Sequence, residues 1–340
     1  MTSKPFAAIS TVTVLLTLLR MTHAATPDED FAARCKAAGV VKCVGFDNTT
    51  ADIVRGMNLW PDGNGTYRAD LDTGTKTSGA GSLRFDLPPP PHAASNIAGK
   101  WLPETNDGLG RLFGENSQLY VQFRMRLSPD MLTNTWDSSW KTVIFHYNQD
   151  SCDSIELTTI NRYMTGVALM YTDCGDRSMT TTLDGSQWTD NTPLLLQQGD
   201  YNCEYGATST ATCFYFPADE WVTYYYHFQI GTWDKPNSTI DAWIAREGST
   251  QYKQWVHVPN FALHCDTSPC DQNPGKSEGY NNLTLTPYMT GVSGTSGKAG
   301  VTSHVWYDEL IVSTSPIAAP GNGGVSDTLA PAPPTGARVQ

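Results

Sequence analysis

Trp140-Lys-Thr-Val-Ile-Phe-His146 reads as a β-strand with two unlike faces. Side chains alternate along a strand, so Thr142, Ile144 and His146 share one side and Val143 and Phe145 the other. Tyr120-Val-Gln-Phe-Arg-Met-Arg126 and Trp221-Val-Thr-Tyr-Tyr-Tyr-His-Phe-Gln-Ile230 are built the same way. Each sets Gln, Arg, His or Tyr against an apolar side. The expectation is that the three polar sides line one shallow groove for a sugar polymer.

Working outward, further alternating runs stand at 41–46, 82–87, 154–160, 166–172, 238–246, 253–258, 282–289 and 303–313. Gly, Asn, Asp and Pro clusters separate them, with Asp62-Gly-Asn-Gly65 a strong turn and Pro88 to Pro91 a strand stop. Many short strands at short intervals predict an all-β sandwich. Only 16% of the residues are charged, which suits strands and turns better than solvated helices. Residues 175–218 and 262–281 read as long functional loops.

Lys4, the apolar run from Phe6 to Leu19, and Thr22-His-Ala24 have the build of a secretory leader, expected to be removed after residue 24. No later run is long and apolar enough to span a bilayer. The domain is expected over 25–314, with a Pro/Gly/Ala-rich disordered tail or linker over 315–340. Eight cysteines follow the leader: Cys35, Cys43, Cys152, Cys174, Cys203, Cys213, Cys265 and Cys270. An even count in a secreted chain implies disulfides, and the spacing favours sequential pairs.

The net charge is −12, and loss of Lys4 and Arg20 with the leader makes it −14. That balance excludes nucleic acid and acidic membranes as partners at long range. Gly-x-Ser-x-Gly, His-Glu-x-x-His, phosphate-loop and dinucleotide motifs do not occur, and no organic cofactor is expected. Asn48, Asn64, Asn237 and Asn282 head glycosylation sequons.

Ser303-His-Val-Trp-Tyr-Asp-Glu-Leu-Ile-Val-Ser-Thr314 resembles the closing strand of secreted concanavalin-like jelly-roll domains, among them polysaccharide lyases. The Tyr120–Leu127 and Trp140–His146 strands and Trp243-Ile-Ala-Arg-Glu247 fit the same architecture, so the resemblance covers roughly 45–313. It implies that the first and last strands lie together. It also implies that an aspartate from each, here Asp47 and Asp308, helps hold a structural calcium. The alginate-lyase tripeptides Gln-Ile-His and Gln-Val-His and the run Tyr-Phe-Lys-Ala-Gly are absent.

Three functions are then in view, each with a polysaccharide as partner and a monomer as the working form. A lyase would cleave a uronic-acid polymer by β-elimination. It needs a group that neutralises the carboxylate, a base for the neighbouring C–H and an acid for the leaving oxygen. Arg124, flanked by Gln122 and Arg126, is the candidate neutraliser. His146 and His227 are candidate bases, and Tyr225, beside His227 and Gln229, is the candidate acid. This reading requires Arg124, His146 and His227 to converge on one face. A hydrolase needs two carboxylates facing one bond, and Glu156 and Asp241 are the isolated strand carboxylates. A binding module would stack sugar rings on Trp233, Trp243, Trp255 and Tyr171.

Overall fold

A computed structural model describes residues 24–89, 98–103, 108–133, 140–147, 157–161, 168–172, 194–195, 214–233, 235–261, 263, 279–289 and 300–321. Strands numbered in chain order are β1 (Val40–Val44), β2 (Leu59–Trp60), β3 (Ala69–Asp72), β4 (Ser82–Leu87), β5 (Lys100–Trp101), β6 (Gln118–Leu127), β7 (Trp140–His146) and β8 (Leu157–Asn161). They continue as β9 (Ala168–Thr172), β10 (Leu194–Leu195), β11 (Val222–Gln229), β12 (Ser238–Ala245), β13 (Lys253–Phe261), β14 (Asn282–Met289) and β15 (Ser303–Ser313). The helices are α1 (Pro27–Cys35) and α2 (Pro129–Thr133).

Alternation decides the layers. On β6, Leu119, Val121, Phe123, Met125 and Leu127 enter the core, and Gln118, Tyr120, Gln122, Arg124 and Arg126 turn away from it. On β11, Val222, Tyr224, Tyr226 and Phe228 point inward, and Thr223, Tyr225, His227 and Gln229 point outward. On β7, Val143 and Phe145 point inward, as the sequence implies. Phe145 meets the Tyr226 and Phe228 rings edge-on at 5.2 and 5.0 Å. Tyr307 donates across the core to the Thr142 carbonyl at 2.7 Å.

The inward faces belong to two antiparallel sheets. Sheet A runs β13-β12-β11-β6-β15-β4-β3, with β1 also paired to β15, and sheet B runs β10-β9-β8-β7-β14-β5-β2. The chain crosses between layers at β1–β2–β3, at β4–β5–β6–β7, at β10–β11 and at β13–β14–β15. This is a jelly-roll β-sandwich. The first and last strands pair, Val44 with Leu310 and Val40 with Ser313. Among the described residues no helix is long and apolar enough to cross a membrane.

Two segments depart from the reading of the sequence. Residues 27–35 form a helix, started by Thr26 and Glu29 in a reciprocal capping box with Pro27 in the first turn. The expected tail contributes to the fold before it leaves the described residues. Ile317, Ala318 and Ala319 are buried against sheet A, so the tail boundary moves past 319. Residues 1–23 and 322–340 lie outside the described residues. The Cys35–Cys43 disulfide is present and ties α1 to β1. The other six cysteines lie outside the described residues.

Candidate functional site

The outward residues of β6, β11, β12 and β15 do gather on one face, the outer face of sheet A. Pairing sets Tyr225 between Gln122 and Trp243, and His227 between Tyr120 and Asp241. This face is covered. Arg34 of α1 is 1% exposed and forms ion pairs with Asp30, at 2.9 Å, and with Glu309, and it donates to Gln122. Gln122 in turn donates to the Ala318 carbonyl at 2.8 Å and to the Tyr252 hydroxyl. Tyr225 accepts from Ile317 N–H at 3.2 Å and packs with Trp243, Ile311 and Ile317. Burial pushes its phenol well above the usual range, with Tyr252 adding to the rise. Helix and C-terminal segment thus turn Gln122, Tyr225 and Trp243 into a second small core, out of reach of a polymer.

The charged members of this face are also engaged. Arg124 sits opposite Asp308 in the β6–β15 ladder, and its Nη1 is 4.0 Å from Glu309 Oε1. Burial lowers its pKa, Glu309 opposes that, and Arg34 adds to it. Arg126 reaches Asp219 at 3.4 Å. His227 stacks on Tyr120 at 4.3 Å, with Nδ1 3.4 Å from Asp241 and Nε2 at Gln118. Asp241 also takes His257 Nδ1 at 2.6 Å and Gln254 at 2.9 Å. Gln229 closes the row at an exposed strand end.

His146 is on the other sheet. Its Nε2 lies 2.8 Å from Thr284 Oγ1 on the outer side of sheet B, with the core between it and both Arg124 and His227. The expected convergence of Arg124, His146 and His227 therefore does not occur. Alternation predicts which residues share a side of a strand, but not which strands share a sheet. Of the expected carboxylate pair, Asp241 faces outward from sheet A, and Glu156 lies outside the described residues. Tyr171 is placed on β9 of sheet B, paired with Thr158 and Leu194. Trp255 is buried in the main core and Trp233 packs against it.

Asp47 and Asp308 reach the same turn. Asp308 accepts from Thr77 N–H at 2.8 Å and Thr77 Oγ1 at 2.7 Å; Asp47 accepts from Ala80 N–H and, at 3.3 Å, from Gly81 N–H. Calcium wants oxygen ligands, and these carboxylates are met by N–H donors. Among the described residues no group of three or more His, Cys, Asp or Glu side chains could hold a metal ion. The pair as arranged does not fit a calcium ion.

The outer side of sheet B has a different chemistry, which reading the strands one by one missed. Lys141 pairs with Tyr288 across β7 and β14, and its ammonium lies 5.5 Å from the centre of the Tyr288 ring. A register shift between Leu285 and Tyr288 on β14 brings the two together. Lys100 on β5 shares this face, because Trp101 beside it is turned into the core. Tyr288, Lys100 and Ile144 keep partial exposure. No strand of sheet B contains an Asp or Glu. Sheet A's strands carry Asp70, Asp72, Asp86, Asp241, Asp308 and Glu309. The alternation of Asn282-Leu-Thr-Leu-Thr carried the available signal for β14, since its polar residues face the same way as His146.

No protein-family model and no curated protein sequence matches the chain. Solved structures similar to it include a PL-14 alginate lyase from Aplysia kurodai, with TM-score 0.48 and 11% identity over 73% of this chain and 87% of that one. An endo-β-1,4-glucuronan lyase from the fungus Trichoderma reesei has TM-score 0.43 and 12% identity over 79% and 99%. The catalytic domain of a GH131 β-glucanase from Podospora anserina has TM-score 0.40 and 10% identity over 81% and 91%. Likeness at this level leaves the chemistry to be read from the chain's own residues.

Proposed function

We propose that this protein is a polysaccharide-cleaving enzyme that acts on a uronic-acid polymer by β-elimination, carried not by Arg124, His146 and His227, which do not converge, but by other residues on the outer face of sheet B. One observation carries the reading. The strands of that sheet bring Lys100, Lys141, His146 and Tyr288 to one side and hold no carboxylate. Glycoside hydrolysis by the usual route needs two carboxylates at the bond. Elimination needs positive charge and a proton carrier.

Lys141 and Tyr288 supply both. The Lys141 ammonium offsets the charge that builds on the uronate as the C–H beside its carboxylate is broken. The Tyr288 hydroxyl oxygen takes that proton as its own O–H proton passes to the leaving sugar oxygen. The C–H electron pair forms the C=C bond, the bond to the leaving oxygen breaks, and the phenol is left as it began. His146 stands five residues along β7 from Lys141, roughly 16 Å at strand rise, too far to act at the same bond.

The test is incubation with uronate polymers, following the ultraviolet absorbance of the unsaturated product. Wild type is expected to generate it, and Tyr288→Phe to lose about 10²–10⁴-fold in rate. Reducing ends without that absorbance would make the protein a hydrolase. Retention on polymer with neither product would make it a binding protein.

A further inference from the structure

Lys100 is not used by the reaction just described, and its setting is unusual. Its ammonium lies 5.9 Å from the centre of the Trp60 ring, its cross-strand neighbour. Thr286, next to Leu285 in the β14–β5 pair, donates to the Gly99 carbonyl at 2.9 Å and ties β5 to β14. Backbone and indole together hold the side chain on the outer side of sheet B. The residue is only partly exposed, and among the described residues no Asp or Glu is paired with it. Burial lowers its pKa with no acidic neighbour opposing. A part-buried charge without a counter-ion destabilises the protein that carries it. This chain has an excess of acids, yet among the described residues none is spent on Lys100.

β5 and β7 flank β14, so Lys100 and Lys141 are two strand spacings apart, about 9.5 Å. A polymer lying across the strands would meet the two ammonium groups at different sugars. We propose that Lys100 is a specificity-determining residue that binds a second carboxylate of the substrate, so that the enzyme selects runs of contiguous uronates over polymers whose acid sugars are isolated. This rests on the placement of the polymer on sheet B made above. The counter-ion that Lys100 lacks among the described residues is then supplied by the ligand, through a charge-assisted hydrogen bond.

The experiment compares binding of short homo-oligomers of mannuronate, guluronate, glucuronate and galacturonate with binding of the same oligomers after their carboxyls are reduced to alcohols. Titration calorimetry on the full chain reads the affinities, with Tyr288→Phe as the background. At least one acidic oligomer is expected to bind more tightly than its reduced form. Lys100→Met should weaken that binding by about tenfold or more, and leave the reduced oligomer's affinity unchanged. Lys100→Arg should recover most of the loss. In the active enzyme the loss should fall on KM rather than kcat. Lys100→Met should unfold at the same or a higher temperature, since no counter-ion is lost, whereas a merely structural lysine would lower it. Equal affinity of Lys100→Met and its parent for the acidic oligomer overturns the proposal, as does failure of all four oligomers to bind. Persistent elimination by Tyr288→Phe overturns the assignment of the reaction alone and leaves the Lys100 comparison standing.

Discussion

Arg34 shows how one buried guanidinium can secure a whole layer. It bridges Asp30 on its own helix to Glu309 in the last strand and to Gln122. Glu309 has φ +52°, at the irregularity where β15 shifts its register against β6. Removing one member of such a network strands the others, which costs about 3–5 kcal/mol. Arg34→Ala should therefore lose about 3 kcal/mol or more in urea unfolding, and adding Glu309→Gln should restore part of it. Beside it, burial raises the Asp308 carboxyl from 3.8 to about 7, with Glu309 reinforcing the rise and Thr77's hydrogen bonds opposing it. The folded protein then holds a proton that the unfolded chain releases above about pH 4. This group's contribution to stability is full below that pH, falls as pH rises through about 7, and levels above it. Asp308→Asn should thus gain in Tm relative to wild type between pH 4 and pH 7, as thermal unfolding at a series of pH values would show. A calcium-stabilised site would instead give wild type a chelator-sensitive Tm, which the N–H partners of Asp47 and Asp308 argue against. The sequon at Asn282 is legible in sequence, but the residue is fully buried, with Nδ2 on the Pro103 carbonyl.

At the scale of elements, α1 and the 315–319 segment decide what sheet A can do. Together they bury Tyr225, Trp243 and Ile311 in a cluster separate from the main core. Truncation after Ser313 should expose that cluster and lower Tm by several degrees, about 1–3 kcal/mol for each large apolar side chain uncovered. Truncation after Gly321 keeps every contact described and should leave Tm unchanged. Most strands were legible: 82–87, 118–127, 282–289 and 303–313 stand where alternation sets them. The helix over 27–35 was not read from the sequence: Thr26, Pro27 and Glu29 carry a start signal, but a short, polar nine-residue stretch has no strong apolar stripe to announce it. The groove was misread because His146 sits on a strand of the same pattern as those of Arg124 and His227 but in the other sheet. Period two distinguishes the two sides of a strand, and both sheets turn a polar side outward.

For the whole molecule, charge is unevenly divided. The chain is at −12, yet sheet B's strands carry Lys100 and Lys141 and no acid. A polyuronate approaching this protein is repelled at long range and attracted at short range by Lys100 and Lys141. Screening shortens the repulsion, since the Debye length falls to about 10 Å at 0.1 M salt. The association rate with an acidic oligosaccharide should therefore rise as salt goes from low to about 0.15 M, the reverse of a steered encounter. Stopped-flow fluorescence of the tryptophans would read it, and a rate that falls with salt would contradict this account.

The sequence by itself determined the sandwich, because alternation and Gly/Pro punctuation are local properties of a strand. It also determined the pairing of first with last strand, through the resemblance of Ser303–Thr314, and the Cys35–Cys43 staple, through spacing. Only the tertiary structure decided which polar faces meet. That depends on strand order, which is set by the crossings between layers and by long-range burial. It closed the outer face of sheet A with Arg34 and Ile317, separated His146 from Arg124 by the thickness of the core, and joined Lys141 to Tyr288 across a bulge.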